Sequence, residues 1–369
     1  MKSIIKNKIK ILLATPGEEA EGGIASVVMG LEKVLELMSG EMVYKKILYA
    51  KPKRGLNKLQ RSSAEILQLF NFIGTILFFN PHIIHIQSSF DKKTILRDSI
   101  HLLITRFFRK KFVLHAHGGE WHLITNWNKL WLGYANWFLT RCHRIIVTST
   151  EEQKIIKNQY GHRVNVSKIY NPVINPINPS DCNDMKTSSP IKKIIFASRF
   201  IETKGILDAI RSTSFLQRND FKLLLFGEGQ LLNQAKSIIM ELKMQDTVTL
   251  MGEIPLEELI KQYMQSDIFI FPSYHLEGFP MAFFYAVTCG MAIITTKVRP
   301  ITDFLSEPDN CLWIDSQNPK MLAEKIDYLL DHAELRQQMS DNNKKLATLF
   351  SVEKIADQLE EVYTELNSK

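Results

Sequence analysis

Residues 271–296 read FPSYHLEGFPMAFFYAVTCGMAIITT, and the rest of the chain is organised around this stretch. A short apolar strand ends in a polar loop. Pro280 then falls in the first turn of a helix, where its missing N–H would be unpaired anyway, and Gly290 caps the helix before a second strand. This order places free backbone N–H groups and a positive dipole end at the carboxyl edge of a parallel sheet. The stretch therefore predicts an anion site with the Glu277 carboxylate beside it, and a sugar diphosphate fits such a site.

The first half of the chain alternates strands and helices at the spacing typical of a parallel sheet with right-handed crossovers. Residues 45–61 are a basic segment, and residues 171–190 hold four prolines with little periodicity, which predicts a linker. Strands are predicted at 9–15, 83–86, 111–115, 144–147 and 166–169, and helices at 24–38, 64–79, 92–108, 126–140 and 151–159.

After the linker the same alternation starts again. Strands are predicted at 192–197, 222–226, 247–251, 267–271 and 291–296, and helices at 206–216, 231–242, 256–264, from Pro280 to Cys289, and at 320–330, 333–350 and 352–366. At 369 residues the chain is too long for one ordinary core. We expect an α/β fold with an N-terminal domain at 1–170, the linker at 171–190, a second domain at 191–350 and a C-terminal helix at 351–369 that can pack back on the first domain.

The composition is that of a soluble globular protein, and we expect no apolar run long enough to cross a bilayer. The lysine-rich start is interpreted as the beginning of a strand and not as a signal peptide, because its apolar part is short. The cysteines lie far apart without metal-binding spacing, which indicates reduced thiols in the cytosol. They are Cys142, Cys182, Cys289 and Cys311.

The positive charge is concentrated in the first half. Residues 1–170 hold 26 Lys/Arg against 12 Asp/Glu, a net +14, while residues 171–369 hold 20 against 27, a net −7. Such asymmetry predicts that the first half meets an anionic partner. No nucleic-acid-binding motif is recognisable, so we expect no nucleic acid partner. The run RFFRKK at 106–111 fits a solvated helix end or an anionic membrane contact, and the basic segment near it favours the membrane.

A histidine-rich segment follows the strand at 111–115. Alternation along the strand puts His115 and His117 on one face, and with Glu120 and His122 they are a loose candidate for a metal site. His115 is also explained as a core histidine bonded to backbone. His117 lies at the carboxyl end of the strand beside two glycines, where open α/β sheets bind ligands, and is the site candidate.

Loops at strand ends carry the side chains and glycines that phosphates need. Gly22 and Gly23 precede the first helix, although the full dinucleotide fingerprint is absent and two adjacent glycines before a helix are more often a plain turn. Arg199 and Lys204 flank one strand-to-helix loop, where two cations would grip a diphosphate. Each loop alone is a weak signal. The sequence GEG at 227–229 adds a loop in the same domain, and the three loops of that domain, at 199–204, at 227–229 and at Glu277, together predict one site.

From Phe196 to Thr296 the sequence resembles retaining glycosyltransferases of family 4, of the GT-B class (glycosyl transferases group 1). The series that carries this resemblance is Arg199…Lys204-Gly205, Phe226-Gly227-Glu228-Gly229, Val248-Thr249-Leu250-Met251-Gly252, Ser266-Asp267, Phe271-Pro272-Ser273 and Glu277-Gly278-Phe279-Pro280-Met281. Gly22-Gly23 and the His-x-His-Gly at 115–118 are weaker matches. The resemblance implies two Rossmann-like, doubly wound parallel-sheet domains that face each other across a cleft.

The resemblance also implies roles. Arg199 and Lys204 would bind the donor diphosphate, Glu277 would hold the donor sugar, and His117 would line the sugar and acceptor side, which makes these four the catalytic candidates. Such enzymes are described as retaining and need no protein nucleophile, and the absence of Asp-x-Asp fits metal-independent transfer without a cofactor. The donor-binding candidates are Gly22, Gly23, Gly227, Glu228, Gly278, Phe279, Pro280, Met281 and Tyr285.

Tyr285 departs from the family pattern, which has a second glutamate at that position to bind the nucleotide ribose. A tyrosine there either packs in the apolar helix or donates its hydroxyl to the ribose. We expect an active enzyme with an altered hold on the donor.

The resemblance implies transfer from a UDP- or GDP-linked sugar to a glycan or lipid-linked oligosaccharide in bacterial surface polysaccharide synthesis (capsule, O-antigen or exopolysaccharide). A cytoplasmic protein bound peripherally to the inner membrane would fit this role. Other interpretations are a sugar-nucleotide epimerase of the same fold, a nucleotide-sugar-binding protein with reduced or no activity, and a metal-dependent hydrolase. A nicotinamide dehydrogenase lacks its fingerprint.

Overall fold

A computed structural model of the chain describes residues 8–16, 23–40, 42–50, 57–119, 121–175 and 190–368. The chain divides into two compact units. The first unit comprises residues 1–172 and 349–369, and the second comprises residues 173–348. Most of the predicted linker, residues 176–189, lies outside the described residues.

The first unit is built on a six-stranded parallel sheet with the strand order β2-β1-β3-β4-β5-β6. Its strands are β1 Ile9–Pro16, β2 Met42–Ala50, β3 Ile83–Phe90, β4 Lys111–Gly119, β5 Arg144–Val147 and β6 Val166–Lys168, and its helices are α1 Gly23–Leu37, α2 Lys58–Phe79, α3 Lys92–Phe107, α4 Lys129–Leu139, α5 Thr150–Tyr160 and, from the C-terminus, α12 Val352–Ser368.

The second unit holds another six-stranded parallel sheet, in the order β12-β11-β10-β7-β8-β9. Its strands are β7 Lys192–Ala197, β8 Phe221–Phe226, β9 Val248–Gly252, β10 Ile268–Phe271, β11 Ala292–Thr296 and β12 Cys311–Ile314, and its helices are α6 Ile206–Ser212, α7 Leu232–Glu241, α8 Leu256–Met264, α9 Met281–Thr288, α10 Pro319–Asp331 and α11 Ala333–Leu346.

The central strands are apolar on both faces because helices cover both sides of each sheet. All four residues of β10 are buried, as are residues 11–14 of β1. In the second unit the chain runs from β7 to β8 and β9 on one side, and then returns to β10, β11 and β12 on the other. The strand order reverses between β7 and β10, and a crevice at such a switch point is where open α/β sheets bind ligands. The predicted α/β architecture with two Rossmann-like parallel sheets is confirmed.

Three expectations from the sequence need correction. Part of the basic segment at 45–61 is strand β2, which lies at the sheet edge and therefore tolerates Lys45 and Lys46 in its middle. Pro280 is the N-cap of α9 and not its first helical residue. The helix predicted at 126–140 is α4 preceded by a separate 3₁₀ turn, Trp121–Asn126.

The expectation that no segment could span a bilayer is also wrong on length and composition. The stretch Ser62–Phe79 of α2 has a mean hydropathy of 1.4, and 22% of its residues are buried. This helix begins earlier than predicted, at Lys58, where Asn57 and Gln60 form a reciprocal capping box. Among the described cysteines, Cys142, Cys289 and Cys311 are free thiols, and Cys182 lies outside the described residues.

Candidate active site

In the second unit, the loops that follow β7 and β10 bring a lysine and a glutamate into direct contact. Lys204 Nζ lies 2.5 Å from Glu277 Oε1, and Ser273 Oγ donates to the same carboxylate oxygen at 2.7 Å. Only 6% of Lys204 and 4% of Glu277 is exposed. Because β7 and β10 are neighbours at the switch point, two residues 73 positions apart in the sequence form one buried ion pair.

A backbone hydrogen bond and a side-chain hydrogen bond hold these two loops together. Tyr274 N donates to Thr203 O at 2.9 Å, and the Thr203 hydroxyl lies 2.8 Å from His275 Nδ1. Gly205 has a φ of +75°, and a Cβ there would lie 2.3 Å from Pro272 O. Glycine is therefore required for the β10 loop to approach the start of α6.

Burial and the neighbouring charges both shift the pKa of Lys204. Burial lowers the pKa of Lys204, the Glu277 carboxylate opposes this shift, and the Arg199 guanidinium lowers the pKa further. Arg199 itself is exposed. Burial also lowers the pKa of His275, and the charges of Lys204 and Arg199 add to this effect. The buried Lys204 and the exposed Arg199 thus lie at the carboxyl edge of the sheet. An anion bound there would neutralise the charge of Arg199.

The lowered lysine pKa predicts a pH dependence. Loss of the Lys204 proton removes the cation, so kcat/KM, which reports the free enzyme, should fall with rising pH on a limb below the ordinary lysine value of 10.5. Because the folded state releases this proton more readily than the unfolded state, the same group adds stability as pH rises through that window. In Glu277→Gln the opposing carboxylate is gone, and the limb should move to lower pH. A pH–rate profile of both proteins measures it, with Glu253→Gln as the control, and a limb that does not move would contradict the assignment.

The Gly227–Gly229 turn supports the loop that carries Arg199. Gly227 has a φ of +129°, and a Cβ there would lie 2.0 Å from Ser198 O. Gly229 has a φ of +154°, and a Cβ there would lie 2.5 Å from Phe200 O. Phe200 N donates to Glu228 O at 2.7 Å, while the Glu228 side chain is exposed. The two glycines therefore allow the β8 loop to lie directly against the β7 loop.

The start of α9 follows the Glu277 loop, as the sequence predicts. Phe279 is buried and stacks on Phe284 with ring centroids 3.7 Å apart, and Met281 is buried as well. Gly278 and Pro280 are partly exposed. Tyr285 is 3% exposed and lies near Tyr263, whose pKa is raised mainly by burial and further by Cys289 and Tyr285. The ribose-binding role of Tyr285 stays a prediction.

In the first unit, the predicted candidate His117 belongs to a row of three histidines. The His115 and His117 rings lie 4.2 Å apart between centroids, and His115 Nδ1 lies 3.2 Å from His85 Nε2. His85 Nδ1 in turn lies 2.5 Å from the hydroxyl of Tyr363, on α12. The expectation that His115 bonds to backbone is wrong, because its partner is a histidine side chain.

Two amide side chains fix the orientation of His117. Its Nδ1 lies 2.9 Å from Asn171 Oδ1, and its Nε2 lies 2.5 Å from Gln87 Oε1. Burial lowers the pKa of His117 to about 4, so the ring is neutral at physiological pH. A neutral ring has one N–H and one bare nitrogen, so one of these amides presents its NH₂ group instead of its oxygen. His117 is thereby held as a neutral hydrogen-bonding group.

Some predicted site residues cannot be placed. Gly22 and Glu120 lie outside the described residues, as does the side chain of His122, and Gly23 is the first residue of α1. Within the described part of the chain, no three His, Cys, Asp or Glu side chains lie close enough to share a metal ion.

Sequence reasoning missed the residues that hold the candidates in place. Ser273 lies four residues before Glu277 and bonds to it, and the signal available was a serine in the same loop. Gln87 and Asn171 flank His117 from distant segments, and nothing in the sequence links them to it.

Two family models match the chain. Residues 184–346 match the model described as Glycosyl transferases group 1, and residues 35–174 match the model described as Glycosyltransferase Family 4. Together they cover most of the chain. The protein is a glycosyltransferase of group 1, family 4.

Curated relatives of this family 4 glycosyltransferase include proteins of surface-polysaccharide synthesis. An uncharacterised glycosyltransferase of Methanocaldococcus jannaschii is 27% identical over 264 residues, which are 69% of this chain and 68% of that protein. The Staphylococcus aureus capsular polysaccharide biosynthesis glycosyltransferase CapM is 27% identical over 46% of this chain and 44% of its own. A Campylobacter jejuni N,N'-diacetylbacillosaminyl-diphospho-undecaprenol alpha-1,3-N-acetylgalactosaminyltransferase is 31% identical over 29% of this chain and 28% of its own.

Solved structures share the GT-B fold of this glycosyltransferase. Sucrose-phosphate synthase of Thermosynechococcus elongatus superposes with a TM-score of 0.76 at 17% identity, and the match covers 98% of this chain and all of that one. Anabaena HepE, solved in complex with UDP-glucose, superposes with a TM-score of 0.74 at 15% identity over 97% of this chain and all of HepE. At these identities the likeness concerns the fold alone.

Proposed function

We propose that this glycosyltransferase transfers a sugar from a UDP- or GDP-linked donor to a glycan or lipid-linked acceptor, with retention of anomeric configuration and without a metal or cofactor. The observation that carries the proposal is the buried Lys204–Glu277 pair at the switch point of the second sheet, with Arg199 beside it. A cation and a carboxylate side by side match the two parts of a sugar diphosphate.

In this proposal each charged group meets one part of the donor. Lys204 and Arg199 donate to the diphosphate, and their attraction strengthens as the bond to the sugar breaks and the leaving group gains charge. Glu277, already held by Ser273, accepts from the sugar hydroxyls. The backbone from Gly278 to Met281 caps the sugar and phosphate. The acceptor attacks from the face that the diphosphate leaves, so no protein nucleophile is required.

In this proposal, His117 of the first unit lines the part of the site that holds the donor sugar and the acceptor. Its neutral ring can exchange hydrogen bonds with hydroxyl groups without adding a charge to the site. Gly22 and Gly23 approach the phosphates, and Tyr285 meets the ribose. A nucleotide-sugar-binding protein of low activity is the second candidate, because a phenol has one oxygen where the family's glutamate has two.

The names of the relatives and the distribution of charge support a proposal for the acceptor class and the location. The Campylobacter jejuni relative is named for a diphospho-undecaprenol acceptor, and CapM for capsule synthesis, so we propose a role in bacterial surface polysaccharide assembly. The excess of positive charge in residues 1–170 supports peripheral binding to the anionic cytosolic face of the inner membrane.

The test begins with a thermal-shift screen of UDP- and GDP-sugars, because a ligand that binds the folded state raises the melting temperature. The selected donor is then incubated with and without a polyprenyl-diphosphate sugar acceptor, in the presence of a chelator. We expect nucleoside diphosphate release only with acceptor, and a product whose anomeric signal in NMR matches the donor's configuration. Donor conversion without acceptor would identify an epimerase, an inverted product would refute retention, and binding without release would identify a binding protein.

A further inference from the structure

The face of α2 that points away from the first sheet is apolar. Ile66, Leu67, Phe70, Leu77 and Phe78 are all exposed, Phe70 by 68% and Phe78 by 91%. At 100° per residue these five positions fall within one third of the helix circumference. The opposite face packs into the core. A surface helix normally shows the reverse pattern, with charged residues toward solvent. The exposed apolar face of α2 is therefore suited to bind an apolar partner.

The neighbouring helix α3 carries a matching stripe. Leu96, Ile100, Leu103 and Phe107 are exposed at a spacing of three or four residues, and Phe107 is 81% exposed. The two helices lie side by side over the same core, to which Phe72 and Ile76 of α2 and Ile95 and Leu102 of α3 contribute. They also touch directly, because the ring of Phe72 meets His101 edge-on with centroids 4.7 Å apart. The nine exposed side chains of these two stripes form one surface, the α2–α3 face.

Cations lie at one end of the α2–α3 face, where both helices have their C-termini. At the end of α2, Lys10 Nζ donates to Phe79 O at 3.3 Å and lies over the Phe79 ring, and Lys110 Nζ lies 2.5 Å from Asn80 Oδ1. Arg106 and Arg109 are exposed at the end of α3. Within residues 62–79 of α2 the sequence has a single charged residue, Glu65.

We propose that the α2–α3 face inserts into the interface of an anionic bilayer, with both helices lying in the membrane plane. This inference deepens the proposed function, on which it rests for the lipid-linked acceptor. Helices with aromatic and aliphatic side chains beside a cationic rim bind at the boundary of headgroups and acyl chains. An orientation in which α2 crosses the bilayer is incompatible with its packing. Phe72 and Ile76 lie in the protein core, and Gln68 and Thr75 are buried against it.

The charge pattern selects the bilayer over a second copy of the chain. In a two-fold dimer through this face, the cations of each copy would lie against either the cations of the other copy, which repel them, or its apolar side chains, and neither neutralises their charge. An anionic lipid surface neutralises these cations and accepts the apolar side chains at the same time.

The experiment is flotation of the full chain with vesicles of phosphatidylglycerol and phosphatidylcholine, at about 0.1 M and about 1 M salt. The parent should float with these vesicles at both salt concentrations, because insertion of the apolar face survives screening. The double variant Phe70→Glu/Phe78→Glu should partition at least about tenfold less well. The control is Phe215→Glu/Met240→Glu, which adds the same charge at side chains of the second unit that are 50% and 60% exposed, and it should float like the parent.

Three outcomes would overturn the inference. The first is equal partitioning of the two double variants into the vesicles, and the second is binding of the parent that is lost at high salt. The third is a dimer of the parent in sedimentation velocity without lipid, if Phe70→Glu/Phe78→Glu dissociates that dimer and the control variant does not. Transfer to a polyprenyl-diphosphate sugar acceptor in detergent, without vesicles, is measured on the same proteins. Transfer without vesicle binding would refute the membrane face alone, and vesicle binding without transfer would refute the proposed activity alone.

Discussion

Replacing Lys204 with glutamine is expected to lower the rate of sugar transfer about 10³-fold, because a fixed cation at the departing diphosphate is lost. The same change leaves the Glu277 carboxylate buried without its cation, which should cost about 3–5 kcal/mol of unfolding free energy. Turnover with a saturating donor and urea unfolding measure the two effects.

A compensating change separates chemistry from folding. In Lys204→Gln/Glu277→Gln no buried charge is left unpaired, so the unfolding free energy should return to within about 1 kcal/mol of the parent while transfer stays low. Lys236→Gln, the same substitution at an exposed lysine of the second unit, should change neither quantity. Recovery of transfer together with stability would show that Lys204 acts only through the fold.

Replacing Gly227 with alanine is expected to destabilise the second unit by about 3 kcal/mol. Its φ of +129° disfavours any side chain, and the added Cβ would lie 2.0 Å from Ser198 O, so the backbone ahead of Arg199 must move. Urea unfolding gives the stability, and titration with nucleoside diphosphate should show weaker binding.

The matched control is Gly252→Ala, in the strand next to β8. Gly252 also has a positive φ, +73°, but nothing lies within 4 Å of an added Cβ. Only the conformational cost of about 1 kcal/mol applies there. Equal losses at the two positions would mean that the close approach of the two loops is not what requires glycine at 227.

The sequence predicts the architecture well where the signal is strong. Strands with an unbroken apolar run, such as β1 and β10, are buried on both faces and stand out without alternation, and their order with helices determines the parallel sheets. Strand β2 escapes prediction because an edge strand has one open side, where Lys45 and Lys46 are tolerated. Lys46 is even paired with Glu32 of α1, at 2.9 Å, a contact that local patterning cannot show.

The candidate site could be predicted as a set of residues but not as a geometry. The sequence predicts Lys204 at a phosphate and Glu277 at a sugar, yet their ion pair depends on β7 and β10 being neighbours, which no local pattern reveals. The same limit applies to the histidine row, where Tyr363 reaches His85 across 278 positions of sequence. Tertiary contacts of this kind depend on the topology of the fold, and they cannot be predicted from residue propensities or hydrophobic periodicity.

The most direct measurement of the central claim, that Arg199 and Lys204 hold the donor diphosphate, is calorimetric titration with a nucleoside diphosphate and with its monophosphate. Hydrogen bonds to charged groups contribute about 1.5–3 kcal/mol each, so the parent should prefer the diphosphate at least about tenfold. In Arg199→Gln/Lys204→Gln we predict that the two nucleotides bind within about twofold of each other and that transfer is abolished. A diphosphate preference that survives in this variant, with transfer at the parental rate, would contradict the account.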